Sequence, residues 1–249
     1  MQTASSTLRL LSWNIHKGFT AGNRAFVLDH IRRALRDTQA NVVCLQEVVG
    51  ENRRQARRHD NWIAETQFEF LADQVWHHHA YGRNAVYPHG HHGNAILSDW
   101  PLVYVRNHDI SVMPLSHRGV LHTVTAQGVH VFCVHFGLVA WERQRQLAQL
   151  LTLLAQLPSD APLLLAGDFN DWRATTHRRL CDIGLQEVLA GSGTPLATFP
   201  ARWPVLPMDR IYYRHLQLQT AQRLDTGHWR VLSDHCPLLA SFHWRGTNT

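Results

Sequence analysis

The chain has 249 residues, of which 45% are hydrophobic and 17% charged, with a formal net charge of +5 and 19 histidines. That length and apolar content suit one large α/β domain and exclude a disordered chain. Apolar stretches such as residues 150–157 fall well short of the roughly 20 needed to cross a bilayer, so no transmembrane segment is expected.

Residues 8–13 read as the first strand. Val27, Leu28, Ile31 and Leu35 then share one face of a helix over residues 25–36, with Arg32, Arg33 and Arg36 outside it. Residues 41–46 form the second strand, and a weaker helical pattern covers 68–75. Short β-branched or aromatic runs predict strands at 95–97, 102–105, 121–126 and 129–135, the last two joined by a tight turn at Gln127-Gly128. In residues 142–157, Leu147, Leu150, Leu151 and Leu154 recur at helical spacing until Pro158 stops the helix. Strands at 162–166, 210–213 and 237–243 complete the pattern. No repeat or linker divides the chain, so residues 1–249 read as a single domain of mixed sheets with helices packed outside.

The basic balance favours an anionic partner: a phosphoester, a nucleic acid or an anionic phospholipid headgroup. Cys44, Cys133, Cys181 and Cys236 form no C-x-x-C pair. They read as free thiols in a reducing cytoplasm, and the first seven residues lack a signal-peptide layout. A monomer is expected.

Apolar runs stop repeatedly at a carboxylate, amide or imidazole. Leu10-Leu11-Ser12-Trp13 ends at Asn14, and Val42-Val43-Cys44-Leu45 at Gln46-Glu47. Val131-Phe132-Cys133-Val134 ends at His135, and Leu163-Leu164-Leu165-Ala166 at Gly167-Asp168-Phe169-Asn170. Open α/β sheets place ligands at such carboxyl ends of strands. Asp209 and Ser233-Asp234-His235 precede their strands instead. For all six sets to share one edge, those last strands must run antiparallel to the first four.

The residue types suggest the chemistry. Asn14, Glu47 and Asp234 offer oxygen ligands for a hard cation such as Mg2+, and no Cys/His spacing suits zinc. Asp168 and Asn170, two apart, face the same way in an extended segment and could hold one water. His235 offers a general base or an oxyanion donor, with Asp209 orienting its ring. His135 and Arg118 add donors for phosphate oxygens. Together these describe metal-assisted attack of water on phosphorus. The run Arg53-Arg54-Gln55-Ala56-Arg57-Arg58-His59 is either a polyanion or membrane contact or a solvated face. His77-His78-His79 and His89-Gly90-His91-His92 are too contiguous to converge on one ion, although His91 and His92 could line a cleft. Trp172 and Trp203 are cleft aromatics or core.

Trp13-Asn14, Leu45-Gln46-Glu47, Gly93-Asn94-Ala95-Ile96-Leu97-Ser98, Gly167-Asp168-Phe169-Asn170, Asp209-Arg210-Ile211 and Ser233-Asp234-His235 resemble the endonuclease/exonuclease/phosphatase superfamily in order and spacing. The resemblance runs from about Arg9 to Phe242. It implies a four-layer α/β sandwich: two packed mixed β-sheets flanked by helices. It also implies hydrolysis of a phosphoester with Mg2+ or Mn2+. By the same resemblance Glu47 is the central metal ligand, joined by Asn14 and Asp234. Asp168, helped by Asn170, aligns or deprotonates the water. His235 contacts the scissile phosphate with Asp209 behind it, and His135 belongs to the same catalytic set. Arg118 and Asn94 are candidate phosphate contacts, with a surface ion pair and a turn role as their respective alternatives. His16 stands where abasic-site nucleases of the superfamily often carry an acidic residue, and His135 matches the lipid and small-molecule members. The sequence looks like a branch of small stand-alone bacterial members, some encoded beside cardiolipin-synthase-like enzymes. The expected activity is a phosphodiesterase on a small or lipid-linked phosphoester. The alternative is a Mg2+-dependent endo- or exonuclease on DNA or RNA, and a binding protein that kept the fold without catalysis is a third reading.

Overall fold

A computed structural model of the chain describes residues 6–190 and 196–244. The first strand, β1 (Ser6–Asn14), leads through a short turn into α1 (Leu28–Asp37) and then β2 (Val42–Asn52). Next come α2 (Arg53–Ala56), α3 (Gln67–Ala72) and the hairpin β3 (His78–Tyr87) with β4 (Gly90–Ser98). Strands β5 (Leu102–Asp109), β6 (Gly119–Thr125) and β7 (His130–His135) follow, before α4 (Ala140–Leu154) and β8 (Leu163–Asp168). The rest is α5 (Thr175–Asp182), β9 (Gln186–Glu187), β10 (Asp209–Arg214), β11 (Gln217–Arg223), α6 (Trp229–Leu232) and β12 (Leu238–Trp244).

The strands form two six-stranded sheets, ordered β11-β12-β1-β2-β4-β3 and β5-β6-β7-β8-β10-β9. Each sheet holds one parallel pair, β1 with β2 or β7 with β8, and its other neighbours are antiparallel. The two sheets therefore repeat one order and one set of directions.

Both faces of the central strands are apolar, which gives three cores and four layers. Leu10, Val42, Cys44 and Ile96 meet Val131, Cys133, Leu164 and Ile211 between the sheets. Leu11, Trp13, Val43 and Leu45 pack outward on Ile31 and Leu35 of α1 and Leu71 of α3. On the far side, Phe132, Val134, Leu163 and Leu165 pack on Leu147, Leu150 and Leu154 of α4. The structure is the four-layer α/β sandwich with mixed sheets. As the motif order required, β10 runs antiparallel to β8 and β12 antiparallel to β1. The turn after β6 closes at Gly128, whose amide donates to Thr125 O at 2.8 Å and whose φ is +80°.

Boundaries differ where tertiary contacts intervene. The first helix starts at Leu28 rather than at residue 25, because Phe26 is taken into a bridge with Phe19. The weak helix is shortened to α3 and set by a capping box: Glu69 N donates to Thr66 Oγ1, and Glu69 Oε2 accepts from Thr66 N. The second strand continues past Gln46 to Asn52 through a bulge between Leu45 and Val48. Strand β3, which contains His78 and His79, and helix α5 were not expected from the sequence.

Candidate active site

The strand ends converge as the alternation demands. Asn14 is in register with Gln46, His135 with Asp168, and Asp209 with Asp168 from the other side. The segment before β12 is pinned beside them, because Trp13 Nε1 donates to His235 O at 2.9 Å and Ser233 Oγ to Asn14 O at 2.7 Å. Gly167 lets β8 approach β7 so closely: a Cβ there would lie 2.0 Å from Val134 O. The sheets thus present Asn14, Glu47, His135, Asp168, Asp209 and His235 along one edge.

Glu47 owes its position to the bulge. Gln46 turns inward, fully buried, with its amide 3.2 Å from Cys133 Sγ, and Glu47 takes the left-handed conformation at φ +58°. The extra residue returns Val48 to the outer core and leaves the Glu47 carboxylate at the rim. Lys17 reaches it at 2.6 Å from the turn after β1. Enclosure alone would raise the Glu47 pKa, but the Lys17 ammonium holds it far below the usual carboxylate range.

Asp168 is the hub. Its Oδ2 accepts from Asn14 Nδ2 at 3.1 Å and lies 3.5 Å from His135 Nε2 and 3.8 Å from His235 Nε2. Burial lifts the Asp168 carboxyl to about 7 against the pull of His235, with Asp209 adding to the rise. The two imidazoles are opposites. Burial, with Arg118 alongside, pushes His135 well below its ordinary value, so it is neutral. Burial would do the same to His235, but the Asp209 and Asp168 carboxylates lift it to about 10. Asp209 Oδ2 sits 2.8 Å from His235 Nδ1 and also accepts from Thr198 Oγ1 at 2.6 Å.

Asn170 departs from expectation. The chain turns sharply after Phe169, and Asn170 takes φ +49° instead of continuing an extended segment. Its N–H donates to Asp168 Oδ1 at 2.9 Å while its side-chain amide donates to Phe136 O. It fixes the Asp168 carboxylate from behind rather than standing beside it. Asn94 is 1% exposed, and its Nδ2 donates to Gly119 O and Cys133 O of the other sheet. It is an inter-sheet strut, its donors spent on backbone. Arg118 is close enough to His135 and His92 to shift both, and its Nε is buried without a hydrogen-bond partner.

Lys17 and Thr198 join the site without having been singled out, and His92, read from the sequence as a cleft-lining residue, joins it as well. Lys17 could be suspected from its place two residues before Phe19 and three after Asn14; Thr198, eleven residues before Asp209, gave no signal. His92 has a buried, unpartnered Nδ1, and burial, with Lys17 near, lowers its pKa to about 4. Asp234 lies at the rim with Oδ1 3.7 Å from His16 Nδ1. A cavity of about 420 Å3 opens beside the site rather than on it. Its wall includes Gln67, whose amide bridges Lys17 O and Val49 N.

Two sets of groups are candidates for a divalent metal. Asp168, Asp209 and His235 place one ligand atom each within 4.8 Å of one another. A ligating imidazole must be neutral, whereas the Asp209 and Asp168 carboxylates raise the His235 pKa to about 10, so this set favours a proton on His235. Glu47, Asp234 and the Asn14 amide oxygen, which also accepts from His16 N at 3.0 Å, offer oxygen ligands alone, with the Glu47 carboxylate ionised. The Glu47 and Asp234 side chains remain 18% and 24% exposed. That chemistry and openness fit a hard cation that keeps several waters.

The sequence profile of the Endonuclease/Exonuclease/phosphatase family matches residues 11–235. The chain belongs to the endonuclease/exonuclease/phosphatase family. Members of this family are phosphoester hydrolases and generally use divalent metals. The chain is 45% identical over 249 residues to the uncharacterized protein YbhP of Escherichia coli K12, covering 97% of this chain and 98% of that protein. An endonuclease/exonuclease/phosphatase from Beutenbergia cavernae has the same fold at TM-score 0.75 and 18% identity, covering 95% of this chain and 71% of that one. D. rerio TDP2, solved with a single-strand DNA product, matches at TM-score 0.67 and 18% identity over 98% and 100% of the two chains. Among the described residues no helix is long and apolar enough to cross a membrane.

Proposed function

We propose that this family member is a divalent-metal-dependent phosphodiesterase acting on a small or lipid-linked phosphoester, with water attacking in line at phosphorus. The observation that carries the reading is the Asp168 carboxyl, held near neutrality between a neutral His135 and a cationic His235. A carboxyl near 7 is matched to accepting a proton from water at working pH. Asn14 and the Asn170 N–H fix its two oxygens and leave lone pairs able to accept that proton. His235, kept protonated by Asp209, donates to a phosphate oxygen, and Arg118 supplies a second cation with an unspent donor. As the water oxygen bonds to phosphorus, its proton passes to Asp168; the leaving ester oxygen departs with its electron pair and takes up a proton.

Mg2+ or Mn2+ held by Glu47, Asp234 and Asn14 would polarise the phosphoryl oxygens and offset their charge. His16 and His135 support a small or lipid-linked ester over a polynucleotide. The free thiols of Cys44 and Cys133, neighbours in the core, support a reducing cytoplasmic setting. We take the active unit to be a monomeric single domain.

The test is Mg2+-dependent turnover on a panel of soluble phosphodiesters, phosphomonoesters, glycerophospholipids, plasmid DNA and RNA, with Glu47→Gln run alongside. Turnover of small or lipid esters that is lost in Glu47→Gln supports the proposal. Turnover confined to DNA or RNA replaces it with the nuclease reading.

A further inference from the structure

Large apolar side chains left in water gather around the mouth of the site. Leu115, 96% exposed, lies three residues before Arg118. Leu138 and Trp141 follow His135, and Trp172 follows Asn170 with the Arg143 guanidinium 4.8 Å from its ring centre. Trp203, 71% exposed, sits in the loop whose Phe199 ring packs 5.0 Å from the His235 ring, and Val231 stands three residues before Asp234. Each lies within six residues of a site residue, Trp141 on α4, Val231 on α6 and the others on loops, and the convergence of those site residues brings these apolar groups together as a crown about it. Exposed apolar groups clustered in this way mark a surface that is covered in use.

Beyond the same edge lies a basic hollow of about 390 Å3, lined by Arg53, Arg54, Arg57, Arg58 and His89. It is a fixed feature: Asn52 Oδ1 accepts from Gln55 N to start α2, and Arg53 N donates to His89 O of the β3–β4 turn. All four arginines are exposed, and among the described residues Arg53 is the one with a carboxylate, Glu51, at 2.6 Å. Strand β2 runs on past Glu47 to carry this hollow, which places it roughly 20 Å from the Glu47 carboxylate at strand rise.

We infer that this edge docks on an anionic bilayer, the crown entering the headgroup layer while the α2 arginines hold phospholipid phosphates. The inference rests on the phosphodiesterase reading and narrows it to a substrate presented by the membrane. Tryptophans suit the polar–apolar boundary of a bilayer, and arginines suit its anionic surface. A single-stranded polynucleotide would use the tryptophans for stacking, but gains nothing from Leu115, Leu138 or Val231. Those aliphatic groups gain by leaving water for acyl chains.

The experiment is co-sedimentation of the full chain, in EDTA, with vesicles of phosphatidylcholine alone or mixed with phosphatidylglycerol. Binding to the mixed vesicles and not to the neutral ones is expected. Each arginine removed should lower the partition coefficient about fivefold, so Arg54→Gln/Arg57→Gln/Arg58→Gln loses on the order of a hundredfold. Leu138→Ser/Trp203→Ser should weaken binding without changing its salt dependence. No binding to mixed vesicles overturns the inference. So does equal binding to both vesicle types, or an arginine-dependent affinity for single-stranded DNA with none for vesicles. Turnover of a soluble nitrophenyl phosphodiester with Mg2+, read without vesicles, reports on the phosphodiesterase reading separately.

Discussion

Asn14 and Asp168 end strands of different sheets, and the amide of the first donates to the carboxylate of the second at 3.1 Å. This polar cluster therefore exists only when the two sheets are packed together. It also means that a strongly perturbed carboxyl of the site is held by the fold, at a cost in stability. Burial raises Asp168 to about 7 from an ordinary value near 4, so its folded form favours the proton. Its contribution to stability is full below the unfolded pKa and is lost as pH rises through 7. Asp168→Asn should accordingly match the wild type in Tm at pH 4 and exceed it at pH 8 by about 3 °C or more in EDTA. Turnover should fall by a factor on the order of 10^2 to 10^4. Thermal scans at the two pH values, beside an activity assay, check both.

Glu47 is the carboxylate that stays ionised, and its loss should separate metal binding from folding. Saturating Mg2+ should raise the wild-type Tm, by about 2.7 kcal/mol of stability at a hundredfold excess over Kd. Glu47→Gln should show no such rise while folding normally. EDTA should abolish turnover, and added Mg2+ or Mn2+ should restore it. A Glu47→Gln protein that keeps the full metal-induced shift would move the cation site elsewhere.

The Asp209 carboxylate is what keeps His235 charged. Asp209→Asn should lower the His235 pKa from about 10 by at least about one unit, equivalent to roughly 1.4 kcal/mol. Histidine NMR titration reads this directly. Activity should then fall on the alkaline side, where the wild type still holds its proton. An unmoved His235 titration would assign its charge to Asp168 instead.

A second buried pair has a purely structural task. Arg210 is fully buried, with Nη2 2.6 Å from Asp171 O and Nη1 3.5 Å from Asp171 Oδ2. The same Asp171 carboxylate accepts from the N–H groups of Thr175 and Thr176 at the start of α5. Asp171→Ala leaves a buried guanidinium without its counter-ion and should cost about 3–5 kcal/mol. A shift in the urea midpoint measures it. Mutation at a residue so near Asn170 would otherwise be mistaken for a catalytic effect.

The strand ends were legible because apolar runs that stop at Asn14, Glu47, His135 and Asp168 leave polar groups nowhere to go but a shared edge. The antiparallel direction of β10 and β12 followed from Asp209 and His235 preceding their strands. What could not be read came from geometry without a pattern. The bulge that turns Gln46 inward and Glu47 outward leaves no mark in hydrophobic alternation. Lys17 meets Glu47 only because His16, Lys17 and Gly18 all take left-handed φ. A helical residue at Gly18 would also crowd Gln67 and Phe26, each 3.0 Å from its Cβ. Asn94 read as a phosphate contact from the resemblance of its motif, with a turn role as the alternative, but the opposite sheet takes both its donors. Strand β3 escaped notice because its histidines and Gly82 break the β-branched composition expected of a strand.

Because both sheets repeat the same order and direction of strands, the cleft is bounded by counterpart strand ends from each sheet. On one side stand Asn14 and Gln46-Glu47; on the other, His135 and Asp168. The strand order is the same on both sides, but the charge is not. Lysine keeps one carboxyl ionised, and burial lets the other hold a proton near neutrality. On the proposed phosphodiesterase reading, an ester lying between them would meet two electrically unlike walls.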